Sequence, residues 1–171
     1  MLKLQTSLGV IAYSSAVAVF LGVLTMGLAS YGEEAGSRHI AVGSQDIVTV
    51  RPDAAEGSKQ GLPIFPGISG KTAGSKGISM LRVVIPPGAA AKAHIHKGYE
   101  TAVYLVQGRV ETRYGPGLSK SVINTAGDFI FIPADVPHQP RNLSDSEPAI
   151  AIVARTDPNE QESVVAYPPA Q

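Results

Sequence analysis

After residue 31 the chain is a succession of short apolar and β-branched runs cut by glycine and proline. SMLRVVI at 79–85 predicts a strand that stops at Pro86-Pro87-Gly88, where a ladder cannot continue. TAVYLVQG at 101–108 is rich in β-branched and aromatic residues, and RVETRY at 109–114 alternates polar with apolar before the Gly115-Pro116-Gly117 turn. KSVIN at 120–124 leads to a turn at Gly127-Asp128. FIFIP at 129–133 is apolar enough for two buried faces, with Phe131 as packing, and AIAIVAR at 149–155 is the last clear strand. IVTV at 47–50 predicts another strand, and GLPIFPGI at 61–68 an edge strand or a cover over an opening. No stretch beyond residue 31 carries a ten-residue helical stripe. Many short, punctuated strands predict an all-β fold, an antiparallel sandwich or barrel.

The beginning of the chain differs. From Leu4 to Gly32 there is no charged residue, Lys3 supplies a minimal basic start, and Gly27-Leu28-Ala29 has the small-X-small form of a cleavage signal. A cleaved signal, a membrane anchor of about 20 residues and a packing segment all fit. The first two predict an exported or membrane-anchored protein attached through residues 4–30. The resulting division is 1–30 signal or anchor, 31–78 N-terminal arm and edge strands, 79–155 core, and 156–171 C-terminal tail.

Composition narrows the partners. The 171 residues carry 14 Lys+Arg against 14 Asp+Glu, with no basic cluster, which argues against nucleic acid. There is no cysteine, hence no disulfide and no thiolate ligand. GKTAGSKG at 70–77 contains Gly-Lys-Thr without the rest of a phosphate-binding loop and reads as a flexible connection.

The chemistry lies in HIHKGYE and PADVPHQP. His94 and His96, one residue apart, point the same way on a strand. They can close on one metal ion, with Glu100 able to add an oxygen and His138 arriving from another strand. His39 lies outside both stretches and is assigned to the surface.

These stretches resemble the two motifs of the cupin superfamily, in a small single-domain form. Gly88, His94, His96, Glu100 and Gly108 match the first, with the last gap one residue longer than usual. Gly127, Pro133, Asp135, His138 and Asn142 match the second, with Asp135 where the family usually has glycine. The resemblance, over about 79–155, implies a jelly-roll β-barrel and one divalent metal per chain, held by His94, His96, Glu100 and His138. Imidazole and carboxylate donors suit Mn, Fe, Ni or Zn. It also implies a homodimer, with residues 37–70 as contributors.

Of the neighbouring residues, Tyr104 shares strand parity with Glu100 and is read as capping the pocket or filling the core. Arg82, on an apolar run, is read as a clamp for a substrate carboxylate or as a salt-bridge partner. Gln139 and Arg141 bracket the His138 strand entry, and Asn142 is read as a turn stabiliser. Proton transfer would fall to Glu100, a metal-bound hydroxide or Tyr104. The expected function is a metal-dependent enzyme acting on a small oxygen-bearing molecule, with dioxygenase-like chemistry first. Decarboxylase, isomerase or lyase chemistry and a non-enzymatic metal-assisted binding module stand as alternatives.

Overall fold

The structure, a computed structural model, describes residues 46–159, 161 and 163–168. The apolar segment 1–30 and His39 lie outside them. No helix among the described residues is long and apolar enough to cross a membrane.

Strands β1 (Glu56–Gly57), β2 (Pro63–Ile68) and β3 (Ser79–Ile85) are followed by β4 (His94–His96), β5 (Thr101–Gln107) and β6 (Arg109–Tyr114). Then come β7 (Lys120–Thr125), β8 (Phe129–Ile132), β9 (His138–Asn142), β10 (Ala149–Arg155) and β11 (Val164–Ala166). They form a six-stranded sheet in the order β1-β2-β3-β10-β5-β8 and a five-stranded sheet in the order β11-β4-β9-β6-β7. Every pairing is antiparallel. The sheets thus reach beyond 79–155, taking β1 and β2 from the arm and β11 from the tail.

Alternation builds the core. Along β10, Ala149, Ala151, Val153 and Arg155 are buried while the intervening residues are half-buried. Leu81 and Ile85 from β3, Leu105 from β5, Val110 from β6 and Ile64 from β2 join Ala149, Ala151 and Val153 in one apolar cluster. The buried hydrophobic surface is the main force holding the strands in register, since a one-residue slip would reverse every side chain.

Three expectations change on contact with the structure. IVTV at 47–50 forms no strand, and Ile47 is fully in solvent. FIFIP has one inward face, not two: Ile130 and Ile132 line the interior, whereas Phe129 and Phe131 are 85% and 63% exposed. With β8 at the end of its sheet, nothing among the described residues covers its outer face. The 70–77 loop holds one short helix, α1 (Gly70–Ala73), whose first turn is capped by the Ser69 side chain accepting from the Thr72 N–H.

Candidate metal centre

His94 and His96 alternate with Ile95 on β4, so both imidazoles enter the interior. His138 begins β9 and is the direct cross-strand partner of His94. The three rings lie with centroids 4.2 to 5.1 Å apart. Their donor nitrogens lie within 4.8 Å of one another, the one such group among the described residues.

The outer nitrogens fix the rings. His94 Nδ1–H donates to the Lys92 carbonyl at 2.7 Å and His138 Nδ1–H to the Val136 carbonyl at 2.8 Å. His96 Nδ1 meets Thr101 Oγ1. The two carbonyl bonds leave the Nε2 lone pairs of His94 and His138 as free acceptors, and the Thr101 hydroxyl can accept from His96 Nδ1–H to do the same for His96, the arrangement usual around metal-ligating histidines. His96 Nε2 is buried and has no hydrogen-bond partner. An unsatisfied buried acceptor is costly, and an ion between the rings would satisfy it. The three residues therefore fit a divalent transition metal.

Electrostatics favour the same state. Burial, then repulsion by His138, lowers His94 to about 3. Burial, then the Arg155 guanidinium, lowers His96 to about 2. Burial also pushes His138 down, partly offset by its bond to the Val136 carbonyl. All three are neutral near pH 7, so an ion meets lone pairs rather than protons.

Glu100 is not with them. It is exposed, and its backbone N–H and C=O bond to Thr156 beside β10. The buried neighbour on the histidine side is Thr101, the first residue of β5. The expected fourth ligand is corrected on this point: strand parity turns Glu100 outward and Thr101 inward. Counting from Thr101 also removes the extra residue before Gly108. Tyr104 and Arg82, expected at the pocket, share the outward parity. Tyr104 is 39% exposed and stacks near Phe129. Arg82 is exposed with its guanidinium 3.9 Å above the Phe65 ring centroid. The register Phe65–Arg82–Ile152–Tyr104–Phe129 runs straight across the outer face of the six-stranded sheet.

The second motif supports the first. Asp135 has a φ of 62°, the left-handed conformation that favours glycine and that Asp tolerates. Its N–H donates to the His96 carbonyl and its Oδ1 accepts from the Gly98 N–H, tying the two motif loops together. Asn142 is the turn stabiliser expected. Its Nδ2 donates to the carbonyls of Ile85, Pro86 and Glu147, and its Oδ1 accepts from the Ser144 N–H. Gln139 Nε2 donates to the Ala91 carbonyl.

The histidines open on a cavity of about 90 Å³ with mostly hydrocarbon walls, among them Leu62, Ile64, Val83, Val103, Leu105 and Ile130. Its polar lining beyond the histidines and Thr101 includes Gln60, Thr112 and Arg155. Sequence reading missed Thr101, Gln60 and Arg155. Arg155 shares parity with Ala149, Ala151 and Val153, but every position of the run before it is apolar, so only the structure shows that this face is the inward one.

A cupin-domain family model matches residues 81–155. A curated protein of Streptomyces cyaneus, polyketide synthase CurC, is 27% identical over 139 residues, covering 74% of this chain and 86% of the relative. Among solved structures, the oxalate decarboxylase–formate complex of Lactobacillus farciminis is similar at 25% identity and a TM-score of 0.55. The match covers 66% of this chain and 32% of that one. Oxalate decarboxylase of Bacillus subtilis matches at 22% identity and a TM-score of 0.55, covering 68% and 29%. The chain spans about a third of the length of these solved structures.

Proposed function

From the premise that this chain belongs to the cupin superfamily, we propose that it is a metal-dependent enzyme of the lyase or isomerase type. Its substrate would be a small, largely apolar molecule bearing oxygen. The observation that carries the reading is the convergence of His94, His96 and His138 at one end of an apolar cavity. Likeness to decarboxylases supports lyase-type chemistry over the dioxygenase-like chemistry put first from sequence. The name of the Streptomyces relative supports an oxygenated carbon skeleton of polyketide type over a small dicarboxylate, and hydrocarbon walls favour the same choice.

His94, His96 and His138 would hold the ion, which supplies Lewis acidity toward a substrate oxygen. The chain's own contribution is positioning and charge. Arg155, buried at 5% exposure, adds positive charge beside the histidines and favours an anionic or enolisable oxygen there. The apolar walls exclude water and strengthen that attraction. Thr101 keeps the His96 ring oriented. Glu100 and Tyr104, on the outer side, supply no proton to the cavity.

The same reading takes the two sheets as walls of a jelly-roll barrel. It keeps a homodimer involving residues 37–70, and export or anchoring through residues 4–30, as further proposals.

The test joins metal analysis with product screening on small keto acids, phenols and sugars. Decarboxylated, dehydrated or isomerised product without oxygen uptake, abolished by chelator, is the expected result. Stoichiometric oxygen consumption would return the reading to a dioxygenase. Saturable binding of such compounds without product would favour a metal-assisted binding module.

A further inference from the structure

Gln60 sits in the turn that leads into β2, and its side chain belongs to the wall of the histidine cavity. The turn is tightly built. The Gly61 N–H bonds to the Ser58 carbonyl, and Ser58 Oγ both donates to the Leu62 carbonyl and accepts from the Leu62 N–H. Gly61 has a φ of 81°, which a side chain there would strain. Held this way, Gln60 is only 7% exposed, and its Oε1 is buried without a hydrogen-bond partner.

The position is next to the histidines. The Gln60 carbonyl accepts from the Lys92 N–H, and the Lys92 carbonyl in turn accepts from His94 Nδ1–H. One residue thus anchors both the turn and a ligand ring. A buried amide oxygen with no donor is rare in folded proteins and calls for an explanation. In a cavity walled mainly by hydrocarbon, where Ser58, Thr112 and Arg155 are the other polar side chains beyond the histidines and Thr101, it marks where a bound molecule would present a donor.

We infer that Gln60 Oε1 accepts a hydrogen bond from a hydroxyl or enol of the substrate, adjacent to the oxygen that faces the histidine centre. The ligand class is an apolar ring or chain with two neighbouring oxygens, at least one of them protonated. This rests on the metal-site reading above. It assigns Gln60 as the residue that discriminates a hydroxyl from a group of equal size that cannot donate.

Catechol and 2-fluorophenol serve as probes, since they match in shape and differ in the second donor. Titration calorimetry on the zinc-loaded full chain is expected to show catechol binding about tenfold tighter, the effect of one buried hydrogen bond. Gln60→Met should reduce that preference to about twofold or less while leaving metal content and 2-fluorophenol affinity in place. Gln60→Leu carries the same expectation should the methionine variant fail to fold. Gln60→Glu, which keeps an acceptor oxygen at this point, should retain the preference. A catechol preference that survives Gln60→Met and Gln60→Leu overturns the inference, because chelation by the metal alone then explains it. Equal binding of both probes to the wild type overturns it as well, with a water satisfying Gln60, yet leaves the metal-site reading standing. Binding of neither probe to zinc-loaded wild type overturns both.

Discussion

Thr101 and Glu100 show how much one position on a strand decides. Thr101 opens β5 with its side chain inward and Glu100, the residue just before the strand, is exposed, so the acid that seems to complete the motif lies outside and a hydroxyl lies within. Glu100→Gln is therefore expected to leave metal content near wild type, whereas His138→Ala should lose about one ion per chain. Mass spectrometry of metal in protein purified without chelator checks both. A large loss with Glu100→Gln would restore it as a ligand. The histidines also give the metal-free protein a pH signature. Their folded pKa values are depressed below the ordinary histidine value of about 6.5, so the unfolded chain binds more protons between the two. Stability is then fully present above about pH 6.5 and falls as pH drops toward the folded values near 3 and 2. The slope is at most about 1.4 kcal/mol per pH unit for each histidine. Denaturant midpoints of apo-protein from pH 7.5 to 4 should show this loss. His96→Gln and His138→Gln should each flatten it.

At the scale of elements, the connections matter as much as the strands. Gly108 joins β5 to β6 with a φ of 94°, and a Cβ there would lie 2.7 Å from Ala149 Cβ. Both the backbone conformation and the close approach to β10 demand glycine, so Gly108→Ala is expected to cost about 2 to 4 kcal/mol by thermal or denaturant unfolding. A change within about 0.5 kcal/mol would show that the sheet yields at this junction. This junction was legible in the sequence as a glycine between two strand-like runs, as were β3, β5, β6, β7, β8 and β10, whose periodicity or β-branched content is strong. β4 was placed by its histidines, not by any pattern, because three residues carry no period. β11 escaped notice for the same reason. The inward role of β2 was obscured by Pro63 and Pro66, which fit because β2 lies next to the sheet's end and its register shifts after Pro66. The outward turn of Phe129 and Phe131 was hidden because alternating Phe and Ile are both apolar, so composition alone cannot say which faces in. Gln60 could not have been found at all: only the closed turn at 58–62 and the cavity reveal where its amide points.

For the molecule as a whole, the two ends of the chain should matter unequally. Both sheets are built from strands between residues 56 and 166, so removal of residues 1–30 is expected to leave folding and metal binding intact. The C-terminal end is different. β4 meets β9 at the single register pair His94–His138, whereas β11 pairs with all three of its residues, Val164 with His96 through Ala166 with His94. Further bonds flank this contact, from the Lys97 N–H to the Ser163 carbonyl and from the Tyr167 N–H to the Ala93 carbonyl. Two of the three candidate ligands are thus held in place chiefly by a strand more than sixty positions later in sequence. Deleting residues 160–171 should strip β4 of this partner and expose its edge. The apolar cluster contains no residue from β11, so the six-stranded sheet should persist. The expected outcome is near-normal β-sheet circular dichroism with metal affinity reduced at least tenfold, the scale seen when the groups orienting metal ligands are lost. Unchanged affinity in the shortened protein would mean that the single contact with β9, the Asp135 N–H bond to the His96 carbonyl and the ring bonds to Lys92 and Thr101 suffice to hold the histidines.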